Sequence, residues 1–284
     1  MTNSVTQSTS VPRGEWLGHL IRHLAMALLL LAFLAPLLWL LLTAFKPYVE
    51  LFISPPTLLP ADGTLENFTK GWAIGGGKGI IDSLIVSTIS TVFCLILGYP
   101  AAYALARRFP PHGQLSFTIL SLRMMPPIVP VIGFYLLFQE LSLFDTYTGL
   151  ILIYTFMNLP LVIWLLAEFL RQIPKTYEEA AQIDGAPWYR LFWDILLPLS
   201  MPGVLTAGIL SMIFAWNEFL FALVLTGEKV ITLPKALANF FLFQQPNWGQ
   251  LGAIGILAIG PLLIVSFYMQ RALIRSFSVE LGGR

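Results

Sequence analysis

Four polar residues, Arg123, Asn158, Asn217 and Glu218, interrupt long apolar stretches of this chain. An ionisable or amide side chain in hydrocarbon is expensive, so each is a candidate for lining a solute path. Arg123 also fits an ion pair or a snorkelling anchor. Asn217 and Glu218 also fit the satisfaction of helix ends or interhelical bonds. A neutral, hydroxyl-rich solute suits this set, because it needs hydrogen bonds and aromatic faces more than fixed charge. Other constellations fail. Gly75-Gly76-Gly77-Lys78-Gly79 resembles a phosphate loop, but Gly79 stands where Ser or Thr must hold Mg²⁺, and position 72 is Trp instead of Gly. It reads as a flexible outer loop. The histidines are His19, His23 and His112; His19 and His23 lie i, i+4 apart beside a membrane entry, with no cysteine or third histidine near, and read as a polar interfacial face. The single cysteine, Cys94, sits in an apolar run and reads as a small buried hydrophobe. No catalytic, metal or cofactor site is expected on this chain.

The elements that must position these residues are membrane spans. The chain has 284 residues, 57% apolar and only 11% charged, with a mean hydropathy of +0.77. Soluble domains are near half apolar and a quarter charged, so a soluble enzyme is excluded as the leading reading. A net charge of +1 carries no nucleic-acid footprint. A helix needs roughly 20 residues to cross about 30 Å of hydrocarbon, so the length allows about six spans. Six apolar stretches fit: Leu24–Phe45, Ile80–Leu105, Leu115–Phe138, Gly149–Leu170, Pro202–Leu225 and Leu251–Leu273. Most carry a proline, which membrane helices accept more readily than soluble ones. The first stretch is too long for a secretion signal and lacks a small-x-small cleavage site, so it reads as a permanent span. Placing the N-terminus inside puts ten Lys and Arg in inner segments against five outside, with Arg123 in neither set. That bias predicts both termini in the cytoplasm. The fold class is therefore an all-α polytopic membrane protein. Residues 1–23 form a cytoplasmic segment, 24–273 the membrane domain and 274–284 a cytoplasmic tail.

The inner loop 171–202 is long and charged. Thr176 is placed as an N-cap with Glu179 three residues on, the spacing of a capping box. Gly185 suits a positive φ, and Pro187 suits the first position of a second helix over Trp188–Leu197 that Pro198 ends. Trp188, Leu191, Phe192 and Ile195 share one side of it. A short helix, a tight turn and an amphipathic helix at the inner face make a docking hairpin.

Two small-residue rows complete the pattern. Gly203, Ala207, Ser211 and Ala215 recur every four residues along the fifth span, which suggests close packing against a partner chain. Gly252, Gly255 and Ala258 in the sixth span read instead as intrachain packing, with Trp248 as an interfacial anchor.

Glu179-Ala180-Ala181, three residues, Gly185, nine residues, then Ile195-Leu196-Leu197-Pro198 resembles the EAA loop of ABC-importer permeases at every motif position. Arg123-Met124-Met125-Pro126-Pro127, Phe144-Asp145-Thr146, Trp216-Asn217-Glu218-Phe219 and Thr232-Leu233-Pro234 look like the carbohydrate-uptake branch, the maltose-type second permease subunit. The first of these is similar to sugar and polyol permeases. The tail Ser278–Arg284 departs from many relatives.

The resemblance implies a permease subunit in the bacterial inner membrane, inert alone, that forms half of a sugar or polyol pathway. It implies as partners a second homologous permease, two ATP-binding subunits that hold ATP and Mg²⁺, and an extracytoplasmic solute-binding protein. Glu179, Ala180, Ala181 and Gly185 would couple the chain to the ATPase, while Asn158, Asn217, Glu218 and Arg123 would line the path. The alternative for Glu179 is that it only caps its own helix. The alternative function is a secondary transporter driven by an ion gradient, a class that usually keeps acids or broken helices at the midplane.

Overall fold

The computed structural model describes residues 15–109, 113–242 and 247–281, so Arg13, His112 and Arg284 lie outside the described residues. Every described element is helical. Helix α1 spans Glu15–Ala44. Helices α2 (Glu66–Gly71) and α3 (Gly77–Arg108) are joined by Trp72–Gly76, a π-type segment kinked at Gly75, which leaves the helical region at φ +128°. Then come α4 (Gln114–Met124), α5 (Ile128–Glu140), α6 (Tyr147–Gln172) and α7 (Thr176–Ile183). Helix α8 (Trp188–Arg190) passes through a second π-type turn, Leu191–Leu196, into α9 (Leu197–Trp216). The chain continues with α10 (Leu220–Leu225), α11 (Leu233–Leu242) and α12 (Trp248–Leu281).

Five of these runs are long and apolar enough to cross a membrane: Gly18–Ala44, Glu66–Arg108, Tyr147–Gln172, Trp188–Trp216 and Trp248–Phe267. The sixth is broken. Helices α4 and α5 meet at 78°, where the expectation was one continuous span over Leu115–Phe138. Pro126-Pro127 is the cause: Met125 before the first proline is forced out of the helical region, to φ −65° and ψ 126°.

Helices α3, α6 and α9 form the centre. Cys94, Ala102, Val162, Leu166 and Ala207 are buried together, and Cys94 donates its thiol to the Thr155 carbonyl at 3.4 Å. A second cluster joins Val86, Val131, Phe138, Tyr154 and Phe221. Helix α1 leaves the apolar side chains of Leu24 to Leu38 largely exposed and packs against α12. There Gly252 faces the Leu40 carbonyl, and a Cβ on it would lie 3.0 Å from that oxygen. The sixth-span row is thus intrachain packing. His19 and His23 lie on an exposed turn of α1, where His19 Nδ1 meets Arg22 and His23 Nδ1 meets the His19 carbonyl oxygen.

Four expectations are corrected. The row Gly203, Ala207, Ser211 and Ala215 packs inside the chain rather than on a partner: Gly203 lies against Phe169 of α6, where a Cβ would come within 2.5 Å of the ring, and the other three are buried. Pro198 does not end its helix. The preceding π-type turn and the position of Pro198 in the first turn of α9 let the chain run on to Trp216. The fifth span stops at Trp216 instead of Leu225, with Asn217 and Glu218 in the break before α10. The glycine run is not a flexible loop. Gly75 takes φ +128°, and Gly76 seats against Ile254 so closely that a Cβ would clash at 2.5 Å. Lys78 then pairs with Asp82 one turn along α3 at 2.8 Å.

Candidate coupling hairpin and intramembrane cavity

The hairpin begins without the expected capping box. Lys175 is the N-cap with no side-chain bond, and Thr176 is already helical. Helix α7 is held instead by Glu178. Its carboxylate, 9% exposed, accepts from Arg107 Nε at 2.5 Å and from Tyr103 Oη at 2.8 Å, both on α3. Arg107 also donates to the Ile173 carbonyl at 3.1 Å. A buried ion pair holds only when its remaining polar atoms are satisfied, and here Tyr103 and Ile173 supply those bonds.

The four motif residues divide. Glu179 and Ala180 are exposed, Ala181 is buried with Leu191 and Leu196, and Gly185 makes the turn at φ +71°. The Ala186 amide closes that turn on the Ala181 carbonyl at 2.9 Å. Pro187 sits one position earlier than expected, as the extended N-cap of α8. Of the expected apolar side, Leu191, Phe192 and Ile195 pack inward while Trp188 points out. The outward surface carries Glu179 with Tyr177, Ile183 (86% exposed) and Trp188 (77% exposed). Sequence reasoning missed Glu178. Its only local signal is the i, i+3 spacing to Ala181, which puts it on the inward side of α7.

The second site is a cavity of about 270 Å³ between the break in the third span and the break after the fifth. Three of the four intramembrane polar residues meet there. Arg123, in the last turn of α4, donates to the Met157 carbonyl at 3.1 Å and lies 4.7 Å from the Phe214 ring centre. Asn158 is 3% exposed, and its Oδ1 has no hydrogen-bond partner. Glu218 accepts from the Phe221 amide at 3.1 Å and the Ala222 amide at 3.3 Å, so its carboxylate caps α10. One residue from each break, Pro127 and Glu218, therefore also lines the cavity. Asn217 does not join them: it is exposed, and its amide donates to the Ile213 carbonyl of its own helix at 2.8 Å.

A clasp fixes the other end of α10. The Asp145 amide donates to the Leu225 carbonyl at 3.0 Å, and its carboxylate accepts from the amides of Glu228, Lys229 and Val230. Burial works against the charged form, but the backbone donors of Lys229, Gly227, Val230 and Glu228 override it and hold the carboxyl below its ordinary range. Beside it, Asp82 on α3 accepts from the Ile231 amide at 2.9 Å and from Tyr147 at 2.7 Å. Lys235 donates to the Thr226 carbonyl at 2.7 Å; burial pushes its ammonium down, partly opposed by the charge of Asp145. Asp82 and Lys235 carried no motif that sequence reasoning used.

Residues 94–279 match the family described as binding-protein-dependent transport system inner membrane component. A probable ABC transporter permease protein of Sinorhizobium fredii is 35% identical, over 87% of this chain and 89% of that protein. The trehalose transport system permease protein of Mycobacterium tuberculosis is 37% identical, over 85% of this chain and 89% of its own. A diacetylchitobiose uptake system permease protein of Streptomyces coelicolor is 33% identical, over 89% and 93%. Among solved structures, a chain of a bacterial ABC transporter that imports the acidic polysaccharide alginate shares the fold at a TM-score of 0.73, with 22% identity over 92% of this chain and 98% of that one.

Proposed function

From the premise that the chain belongs to the binding-protein-dependent transport system inner membrane components, we propose that it is half of the pathway of an ATP-driven importer for a sugar or sugar-like solute, a polyol or sugar derivative. A second permease completes the pathway, an extracytoplasmic binding protein delivers the solute, and two ATP-binding subunits hold ATP and Mg²⁺. The solute class is supported by relatives whose names give trehalose and diacetylchitobiose.

The observation that carries the coupling is the division of adjacent glutamates. Glu178 ties the hairpin to α3, while Glu179, Ala180 and the apolar Ile183 and Trp188 face outward. Exposed apolar surface beside a charge is the signature of a protein interface. In this reading the hairpin end is cytoplasmic, both termini lie on that side, and an ATPase groove receives Glu179. Motion of the ATPase then reaches α3 through Arg107. Arg123, Asn158 and Glu218 line the path, and Asn217 stands outside it.

Reconstitution of the complete transporter tests this. Uptake is expected to need ATP and to vanish without the ATPase, and a proton or sodium gradient alone is expected to drive none. Glu179→Lys is expected to lower uptake by about 10-fold or more, the scale of a lost interfacial charge contact, without lowering the melting temperature. Wild-type uptake in that variant would remove Glu179 from the coupling surface.

A further inference from the structure

Between α1 and α2 the chain is turned inside out. Lys46 is 3% exposed and Glu50 7% exposed, while Tyr48, Val49, Phe52, Ile53, Leu58 and Leu59 stand in the open. The buried charges close on the loop itself. Lys46 donates to the Thr57 carbonyl, and the Glu50 carboxylate accepts from Thr57 Oγ1 at 2.6 Å and from the Ala61 amide at 3.2 Å. Asn67 of α2 pins the base of the loop by donating to the carbonyls of Ala44 at 2.9 Å and Lys46 at 2.8 Å. Water favours the opposite partition, so this arrangement is built for an apolar surrounding.

Position and composition say which surrounding. The loop continues directly from α1, a membrane-length helix whose most apolar window has no buried residue. It leads through α2 into the N-terminal end of α3, whose other end, about 48 Å away at about 1.5 Å per residue, carries Arg107 and the hairpin. The loop therefore lies at the membrane boundary opposite the hairpin. From Pro47 to Ala61 the only charged residue is the buried Glu50, whereas a protein interface is rimmed by polar and charged groups. Pro47, Pro55, Pro56 and Pro60 have no N–H to satisfy, and the amides of Glu50 and Thr64 reach the carbonyls of Pro47 and Phe45 at 3.0 and 2.8 Å. Unpaired backbone donors are what the membrane penalises, and this loop keeps few of them.

We infer that residues 48–59 are an interfacial anchor whose apolar side chains enter the lipid leaflet opposite the hairpin, to a depth of about 5–10 Å at the headgroup and acyl boundary. The bonds of Lys46 and Glu50 hold the loop in shape without offering charge to the lipid. Tyr48 and Phe52, with ring centres 5.1 Å apart, supply the aromatic pair that suits the boundary. The anchor fixes the depth of α1, which leaves most of its apolar surface open and packs against α12.

The test is a depth measurement on the complete transporter, with companion cysteines replaced, in vesicles of phosphatidylcholine and phosphatidylglycerol. A nitroxide is placed at Val49→Cys and, separately, at Leu58→Cys, with the exposed Asp62→Cys as the water-facing reference; Cys94 is fully buried and stays unlabelled. Oxygen concentrates among acyl chains, and a water-soluble nickel chelate is kept out of them. The ratio of collisions with oxygen to collisions with the chelate is expected to be several-fold higher at Val49 and Leu58 than at Asp62. Both side chains are exposed and neither makes the loop's internal bonds, so if one variant fails to assemble the other decides. A ratio equal to that at Asp62 would put the loop in water and overturn the inference. A label shielded from both reagents would overturn it in favour of a protein cover, the second permease or the binding protein. Uptake is not read in this experiment, so its failure leaves the importer reading standing.

Discussion

At the hairpin the polar groups turned toward the bundle satisfy one another, and what is left over is apolar: Glu178, Arg107 and Tyr103 close a network, while Ile183 and Trp188 stand in the open. In the cavity the reverse holds. Its aromatic walls are packed, and what is left over is polar: the Asn158 acceptor and the spare donors of Arg123. Uncovered apolar area calls for another protein surface, whereas a buried acceptor without a donor marks a place where packing alone did not complete the hydrogen bonding. The two regions are linked through α3, which receives Glu178 at one end and packs along α6, the helix that carries Asn158.

The hardest way to break this contrast is to remove the hairpin's inward anchor. Glu178→Ala leaves the Arg107 guanidinium buried without its partner, a loss of about 3–5 kcal/mol for a buried pair. The melting temperature and ATP-driven uptake are both expected to fall, unlike Glu179→Lys, which spares stability. Equal stability in the two variants would mean that the glutamates are not divided as described.

Next in size is Gly185→Val. A β-branched residue resists φ +71°, and such strain costs about 1–3 kcal/mol. Thermal unfolding is expected at lower temperature, with proteolysis of the variant beginning at the hairpin. An unchanged melting curve would show that the turn relaxes.

Acid separates the regions in another way. The native Asp145 carboxyl titrates below its unfolded value of about 3.9, so its contribution is full above that value and is lost as pH falls through the lower native one. Its clasp holds the Leu225 end of α10, whose Glu218 end borders the cavity. Between neutral pH and pH 3, Asp145→Asn is expected to show a smaller loss of melting temperature than wild type. Parallel curves would remove the clasp from the acid response.

The smallest expected effect sharpens the cavity's boundary. Asn217→Leu removes a bond internal to α9 and an exposed amide, so KM for a transported sugar is expected within about 2-fold of wild type. A larger shift would extend the solute path to the outer side of the break.

Much of this architecture was legible because it follows from local rules. Six apolar stretches at membrane length gave the crossings, and the Gly185 turn was read from the one residue type at ease with positive φ. The failures came where a local signal had two outcomes. The pair Pro126-Pro127 and the single Pro198 are both helix-breaking signals, yet the first broke a span by 78° and the second was absorbed into a continuous helix behind a π-type turn. The small-residue row on α9 announced close packing but not the neighbour, which proved to be Phe169 rather than another chain.

Composition and spacing alone determined that the chain is a helical membrane protein with a charged hairpin and a few costly polar residues in its spans, because apolar runs of about 20 residues cross hydrocarbon with their backbone satisfied as helices. Tertiary structure alone decided which of two adjacent glutamates turns inward and which of two asparagines meets Arg123. Those choices depend on groups far apart in the chain, at separations of 71 positions for Arg107 and Glu178 and 34 for Arg123 and Met157, and no periodicity spans such distances.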